Sequence, residues 1–341
     1  MNRPSEESLR VSFEQLASLL DRGLRANGFD DAAATRCAYI FAENSLVGVA
    51  SHGLNRFPRF VEWIRNGWVR PAAVPTKVDA LGSVERWDGR LGPGPLNAER
   101  AMERAMSLAA TAGVGVVALR NTNHWMRAGT YATQAANAGQ IGICFTNTEP
   151  NLPPWGGAEP KLGNNPVAIG IPRHSGRHVL FDGALSQFSY GALETAARTG
   201  SRLPVPGGFT GEGELTNEPA KILESMRPLP IGYWKGAGLS LVLDLVGAIL
   251  AGGRTTRVLG TQDAEYGVTQ VFVALAQGFL DVGATQSVES TLADLHSTRR
   301  GSGTAVTYPG ERLWQRREEN ITRGVPVDPE IWQDVQRLVN G

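Results

Sequence analysis

The fold turns on residues Asn97 to Arg120, NAERAMERAMSLAATAGVGVVALR. Asn97 to Gly113 reads as a helix with a polar start and a glycine stop. Val114 to Arg120, VGVVALR, reads as a buried strand. At the junction, GVGVVA (Gly113–Ala118) satisfies the letters of the G-x-G-x-x-G/A dinucleotide fingerprint. That fingerprint works only when its glycines follow a strand and open a helix, so that helix amides meet a pyrophosphate. Here the order is reversed, and Gly113 is read as the end of a helix. The chain also carries no Walker-type phosphate loop.

Outward from this junction, the N-terminal side is helical. Ser12 opens a segment with Leu16, Leu19, Leu20 and Leu24 on one face, closed by Gly28. Asp30 and Asp31 open a second helix reaching Leu46, and Phe57 to Asn66 forms a third, ended by Gly67. On the C-terminal side a polar loop, NTNHWMRAG, leads to a short helix near Tyr131–Asn137. Strands are expected at Ile141–Asn147, Val167–Pro172, His178–Asp182 and Val268–Ala276. Between Thr148 and Asn165 lies a proline- and glycine-rich stretch without periodicity, a loop long enough to expect function in it. TGEGELT, ending at Thr216, reads as a hairpin tip. Gly236 to Ala251 is apolar nearly all round and is expected in the core. Further helices close the chain, the last from about Pro329 to Val339. The sum is an α/β core with helical additions at both ends. Its strands and helices alternate too irregularly for a doubly wound sheet.

The 341 residues hold 33 Lys+Arg and 33 Asp+Glu, so the formal net charge is zero, which argues against a general nucleic-acid binder. Two cysteines, Cys37 and Cys144, lie in apolar segments and make neither a disulfide framework nor a metal site. MNRPSEESLR has no apolar core of a secretory leader. The run Leu239–Ala251, broken by Ser240 and Asp244, is short for a membrane span. A cytoplasmic location is the expectation. No C-x-x-C or G-x-S-x-G sequence is present, and the one H-x-x-x-H, His174 to His178, straddles a glycine turn rather than a helix, which leaves metal and serine-hydrolase chemistry without support.

Among five histidines, His52 stands out, in SLVGVASHGLNRFPRF (Ser45–Phe60). Hydride addition to a ketone leaves an alkoxide that needs a proton, and an imidazole suits that task near neutral pH. Arg56, four residues on, can grip a carboxylate with parallel hydrogen bonds. A capping or core histidine is an equally good reading of His52 from these residues alone. His124 sits in a loop after a strand, where small-molecule sites are commonly built. Asp182, after another strand, is either a helix cap or a site carboxylate. Lys235 and Gly236 precede the apolar helix, where free amides and the helix dipole favour an anion. Tight packing at the glycine is the competing reading. His174 and His178 flank a turn and are expected at the surface, and His296 at a helix end.

The blocks SHGLNRFPRF, VALRNTNHWMRAGTY, GNNPVAIGIP, FSYG, GYWKGAGLSLVLDL and PGE, in this order, resemble the lactate/malate dehydrogenase-like family of NAD(P)-dependent oxidoreductases. The likeness runs from about Val11 to Val339 and is strongest toward the branch that reduces 2,3-diketo sugar acids. It implies a non-Rossmann mixed sheet with helices on its faces and helical N- and C-terminal additions. Residues 1–80 with 285–341 would form a mainly helical part, on the substrate side and in dimer contacts; 81–284 would form the cofactor-binding part. His52 matches the general acid and Arg56 a substrate-side cation. His124 falls near nicotinamide and substrate, and Asp182 would orient or polarise the histidine. NADH or NADPH would be held by His178, Val179, Leu180, Phe181, Asp182, Gly183 and Ala184, by Trp234 and Lys235, and by Gly310, Glu311 and Arg312. The implied reaction is reduction of a 2-oxo acid. Oxidation of malate, lactate, sulfolactate or ureidoglycolate, or reduction of a cyclic imine, are the alternatives on the same scaffold. The implied assembly is a homodimer, with no metal, nucleic-acid or membrane partner.

Overall fold

The computed structural model describes residues 9–276, 278, 282–299, 301 and 305–340. The first eight residues, where most of the leader reading falls, lie outside them. In chain order the elements are β1 (Arg10–Val11), α1 (Phe13–Ala26), α2 (Asp31–Leu46), α3 (Phe57–Arg65), β2 (Thr76–Leu81), β3 (Val84–Asp88), α4 (Gly94–Ala112) and β4 (Val114–Thr122). Next come α5 (Ala128–Asn137), β5 (Ile141–Thr146), β6 (Val167–Ile171), β7 (Val179–Gly183), α6 (Tyr190–Arg198), β8 (Gly208–Phe209), β9 (Leu215–Thr216) and α7 (Pro219–Ser225). The chain closes with α8 (Trp234–Ala251), α9 (Thr256–Leu259), β10 (Val268–Leu275), α10 (Val282–Ser297), α11 (Glu311–Arg323), β11 (Val325–Pro326) and α12 (Pro329–Asn340).

The central sheet has seven strands in the order β2-β3-β4-β10-β5-β6-β7. Only β3 and β4 run parallel; β10 lies antiparallel to both β4 and β5, as does every other pair. The sheet is therefore mixed, as the sequence resemblance implied. β4 shows why its residues read as a continuous apolar run: both of its faces are covered. Val117 and Leu119 join Met102 of α4, Tyr131 of α5 and Trp314 of α11 on one face. Ala118 meets Ala251 of α8 on the other. Gly113 ends α4 at φ 83°, its amide donating to Ala109 O at 2.8 Å, which upholds the helix-stop reading.

Where α4 begins differs from expectation. It starts at Gly94 with Pro95 in its first turn, and Asn97 is buried inside it. Asn97 does not cap the helix. Its Nδ2 donates to Gly89 O and Thr122 Oγ1, tying α4 to the end of β4.

A second core is helical. Leu16, Leu20 and Leu24 of α1, Phe41 of α2, and Phe57 and Phe60 around α3 pack with Val335 of α12. Ser12 caps α1 through a reciprocal box with Gln15. The β1–β11 pair, Arg10 opposite Pro326 and Val11 opposite Val325, fastens the two ends of the chain into this layer.

α8 corrects the sequence reading. Its inner side is held, with Ser240 Oγ donating to Gly163 O and Asp244 Oδ1 accepting from Asn147 Nδ2 and the Thr256 amide. Its outer side is open: Val242 is 53% and Ile249 72% exposed, with Leu239, Leu241 and Leu245 beside them. Uniform apolarity thus marks one face on the sheet and one face bare. By length and composition α8 is the one described helix apolar enough to cross a bilayer. Its polar anchors and its packing on Val271 and Phe145 make it part of the sheet's cover instead.

Candidate active site

The SHG segment is a 3-10 turn, Ala50–His52, docked onto the end of α2. Asn44 Nδ2 donates to His52 O at 3.0 Å, and Ser45 Oγ accepts from the Leu54 amide at 2.9 Å. Gly53 lets the turn sit so close, because a Cβ there would run into Ser45 Oγ and Phe41 O. Asn44 Oδ1 also accepts from Thr130 Oγ1 of α5, so one asparagine links the helical layer to the sheet layer.

The His52 ring is half-buried and lies nearly parallel to that of His124, with centroids 5.7 Å apart at 21°. Its Nδ1 is 3.1 Å from Ser51 Oγ, and its Nε2 has no partner among the described residues. Burial, then the positive charges of Arg56 and Arg127, push the ring down to about 4. His124 is depressed well below the ordinary value by burial first, then by Arg56, His52 and Arg59. Its Nδ1 accepts from the Met126 amide at 3.0 Å, so the neutral ring carries its proton on Nε2. Met126 adopts φ 68°, a left-handed conformation that folds its amide back onto the ring two residues earlier. Trp63 also packs against His124, ring centroids 6.1 Å apart at 44°. Arg56, half-buried beside the pair, donates Nε to Ser51 O at 3.3 Å.

Asp182 behaves differently from the role implied for it. Its Oδ2 accepts from Arg127 Nε at 3.2 Å and from the Gly129 amide at 3.0 Å. It therefore caps α5 and neutralises a buried guanidinium rather than bonding to His52. The two readings left open for it, cap and site carboxylate, meet here: through Arg127 it sets part of the charge felt by His52. The Arg127 side chain is 5% exposed, and its Nη2 is buried without a partner.

His178 corrects the surface expectation. It is 4% exposed, its Nδ1 accepts from the Arg173 amide at 3.0 Å, and its Nε2 lies 2.9 Å from Asn137 Oδ1. The other histidine of that turn, His174, is exposed as expected. Leu180 is also buried, and Gly310 packs against it, with the Leu180 amide donating to Pro309 O at 2.9 Å. Glu311 Oε2 accepts from the Tyr308 amide and lies 3.0 Å from His296 Nε2, near the end of α10. The structure thus brings His178–Ala184 and Gly310–Arg312 together, but His178 and Leu180 face protein. Phe181, at 42% exposure, faces outward.

The α8 start joins the same edge: the Ile231 amide donates to Leu185 O at 2.9 Å. Trp234 is 65% exposed and Lys235 is exposed at the first turn, which has no side-chain cap. Gly236 serves packing, since a Cβ would meet Ile231 O, whereas the space at Gly238 is open. Tyr233, just before the helix, holds φ 60° and ψ −117°.

A family model described as malate/L-lactate dehydrogenase matches residues 11–336. The chain belongs to the malate/L-lactate dehydrogenase family. It is 42% identical over 334 residues, 97% of this chain and all of the relative, to 2,3-diketo-L-gulonate reductase of Citrobacter koseri. Malate dehydrogenase from Entamoeba histolytica superposes with a TM-score of 0.92 at 25% identity, over 97% of each chain. Sulfolactate dehydrogenase from Methanocaldococcus jannaschii gives 0.86 at 29%, also over 97% of each. This member of the family is an oxidoreductase, and dehydrogenases of this kind work with a nicotinamide cofactor.

Four residues around the candidate site escaped the sequence reading. Asn44 and Ser45 lie inside a helix and give no local sign of clamping a distant turn. Glu149 and Glu265 sit in irregular loops. Their backbone-to-carboxylate bond, Glu149 N to Glu265 Oε2 at 3.0 Å, spans 116 residues.

Proposed function

We propose that this family member is a cytoplasmic, homodimeric, NAD(P)H-dependent reductase of a 2-oxo acid, with 2,3-diketo-L-gulonate as substrate. The observation that carries the reading is the parallel pair of imidazoles, His52 on His124, with Arg56 at its side. The 42% identity to a diketogulonate reductase supports the substrate.

Arg56 holds the substrate carboxylate. The His124 Nε2–H hydrogen-bonds the ketone oxygen, and its tautomer cannot wander because Nδ1 is occupied by the Met126 amide. His52 gives its Nε2 proton to the same oxygen. When bound, the reduced nicotinamide supplies hydride to the carbonyl carbon. The donor set at the α8 start fits the anionic part of such a cofactor: a helix N-terminus without a side-chain cap, with Lys235 in its first turn. Phe181 offers an exposed aromatic face on the neighbouring strand.

In the free protein His52 is neutral at pH 7. A substrate carboxylate on Arg56 cancels the charge that opposes protonation, so substrate and proton arrive together. In the oxidative direction the neutral ring is already a base. The homodimer is supported by the bare apolar side of α8, which a second copy would cover. The cytoplasm suits the two buried free thiols.

The test is a rate panel with NADH and with NADPH against 2,3-diketo-L-gulonate, oxaloacetate, 3-sulfopyruvate, pyruvate and a cyclic imine acid. Coenzyme oxidation fastest with the diketo acid is expected. Loss of absorbance with none of the 2-oxo acids refutes the proposal.

A further inference from the structure

Within electrostatic reach of Arg56 the structure holds a carboxyl group that the mechanism above does not use. Glu265 lies in the loop before β10. Tyr266 next to it stacks on Trp68, centroids 6.1 Å apart at 7°, and Trp68 O accepts from Asn123 Nδ2, one residue before His124. The loop is therefore pinned against the same wall that carries the imidazole pair. Glu265 Oε2 is taken by the Glu149 amide; Oε1 has no hydrogen-bond partner among the described residues. The charged groups acting on it are the Glu149 carboxylate and the guanidinium groups of Arg56 and Arg59. No ion pair joins any of these four among the described residues. Tyr190, whose hydroxyl donates to Asn151 O at 2.8 Å, closes the Glu149 side, and Gly191 beside it packs on Ser51.

On the reading given above, a substrate whose carboxylate is held by Arg56 comes within the field of this group. We propose that Glu265 is a specificity-determining residue that admits 2-oxo acids with an uncharged, oxygen-bearing chain and rejects those with a second acid group. The inference rests on the reading of Arg56 and His52 given above and deepens it. An ionised carboxylate accepts hydrogen bonds from chain hydroxyls, and a protonated one donates to a chain carbonyl, so either form suits a polyhydroxylated or diketo chain. A second anion meets like charge from Glu265 and Glu149 in a half-buried setting, and such juxtaposition is costly. Burial, then Glu149, raises Glu265 to about 7, so the rejection strengthens as pH rises through neutrality.

The experiment compares kcat/KM for 2,3-diketo-L-gulonate and 3-sulfopyruvate between pH 5.5 and 8.5 with wild type and Glu265→Gln. The sulfonate stays ionised throughout, and the protonation of His52 affects both substrates alike, so the ratio isolates the wall facing the chain. In wild type the preference for the diketo acid is expected to rise about tenfold or more from pH 5.5 to 8.5. In Glu265→Gln, which keeps the shape and polarity of the side chain, it falls by a similar factor and becomes flat with pH. A wild-type ratio that does not change with pH, or an unchanged ratio in the variant, overturns the proposal while leaving the reductase reading in place. A wild type inactive on every 2-oxo acid overturns the reductase reading itself and this inference with it.

Discussion

The depressed imidazole of His52 makes a prediction that separates the free protein from its complex. A fall from 6.5 to about 4 leaves about one protein in a thousand protonated at pH 7, and weighs about 3 kcal/mol against the charged ring. Because kcat/KM reports the free protein and kcat the complex, the two pH profiles must part. For the reductive reaction, kcat/KM should fall about tenfold per pH unit from pH 5 to 7. In kcat the fall should begin at a higher pH than in kcat/KM, because a carboxylate on Arg56 offsets one of the opposing charges, yet below 6.5, because burial remains. For hydroxy-acid oxidation, kcat/KM should be level above about pH 5, since the base is already neutral. Histidine proton resonances followed by NMR give the site directly. The His52 signal should titrate near 4 in the free protein and higher in Arg56→Gln, yet still below 6.5, because burial is the larger cause. A free-protein His52 titrating at 6.5, or a reductive kcat/KM that is level from pH 5 to 7, refutes the reasoning.

Two further outcomes follow from the same geometry. Asp182→Asn strips the buried Arg127 of its counter-charge and should cost about 2–4 kcal/mol in chemical denaturation. It should also lower the His52 titration further, which a purely structural loss would not do; Arg127→Met in the same background should restore part of the stability. Ile249→Asp places a charge on the bare side of α8 and, on the proposed dimer, should give a monomer by light scattering where wild type gives two copies; a variant that stays dimeric moves the interface elsewhere.

Much of this molecule was readable because local pattern and tertiary setting agreed. The order of helix, glycine and strand around Gly113 excluded a Rossmann site, and β4 is indeed a strand buried on both faces. The β2–β3 hairpin gave no such signal. Every residue of β2 is exposed, so the strand shows no inside-outside contrast to read. α8 was misjudged for the opposite reason: apolar residues all round say that something covers them, not whether it comes from the same chain. His178 sits at a turn yet is buried, because Arg173 across that turn, Asn137 of α5 and Trp314 of α11 close around it. His52 and Arg56 were visible as residue types at a spacing. The partners that give them their properties, Asn44, Arg127 and Glu265, are brought near by the fold alone.

The helical layer that carries His52 has one further consequence. Its core is completed by Val325, Val327 and Val335, and β1 finds its only described strand partner in β11. A growing polypeptide thus carries the His52 turn long before the segment 325–335 that completes the layer around it. On the role proposed for His52, activity is expected only after α12 has packed, and proteolytic removal of α12 is expected to abolish it before the strands melt.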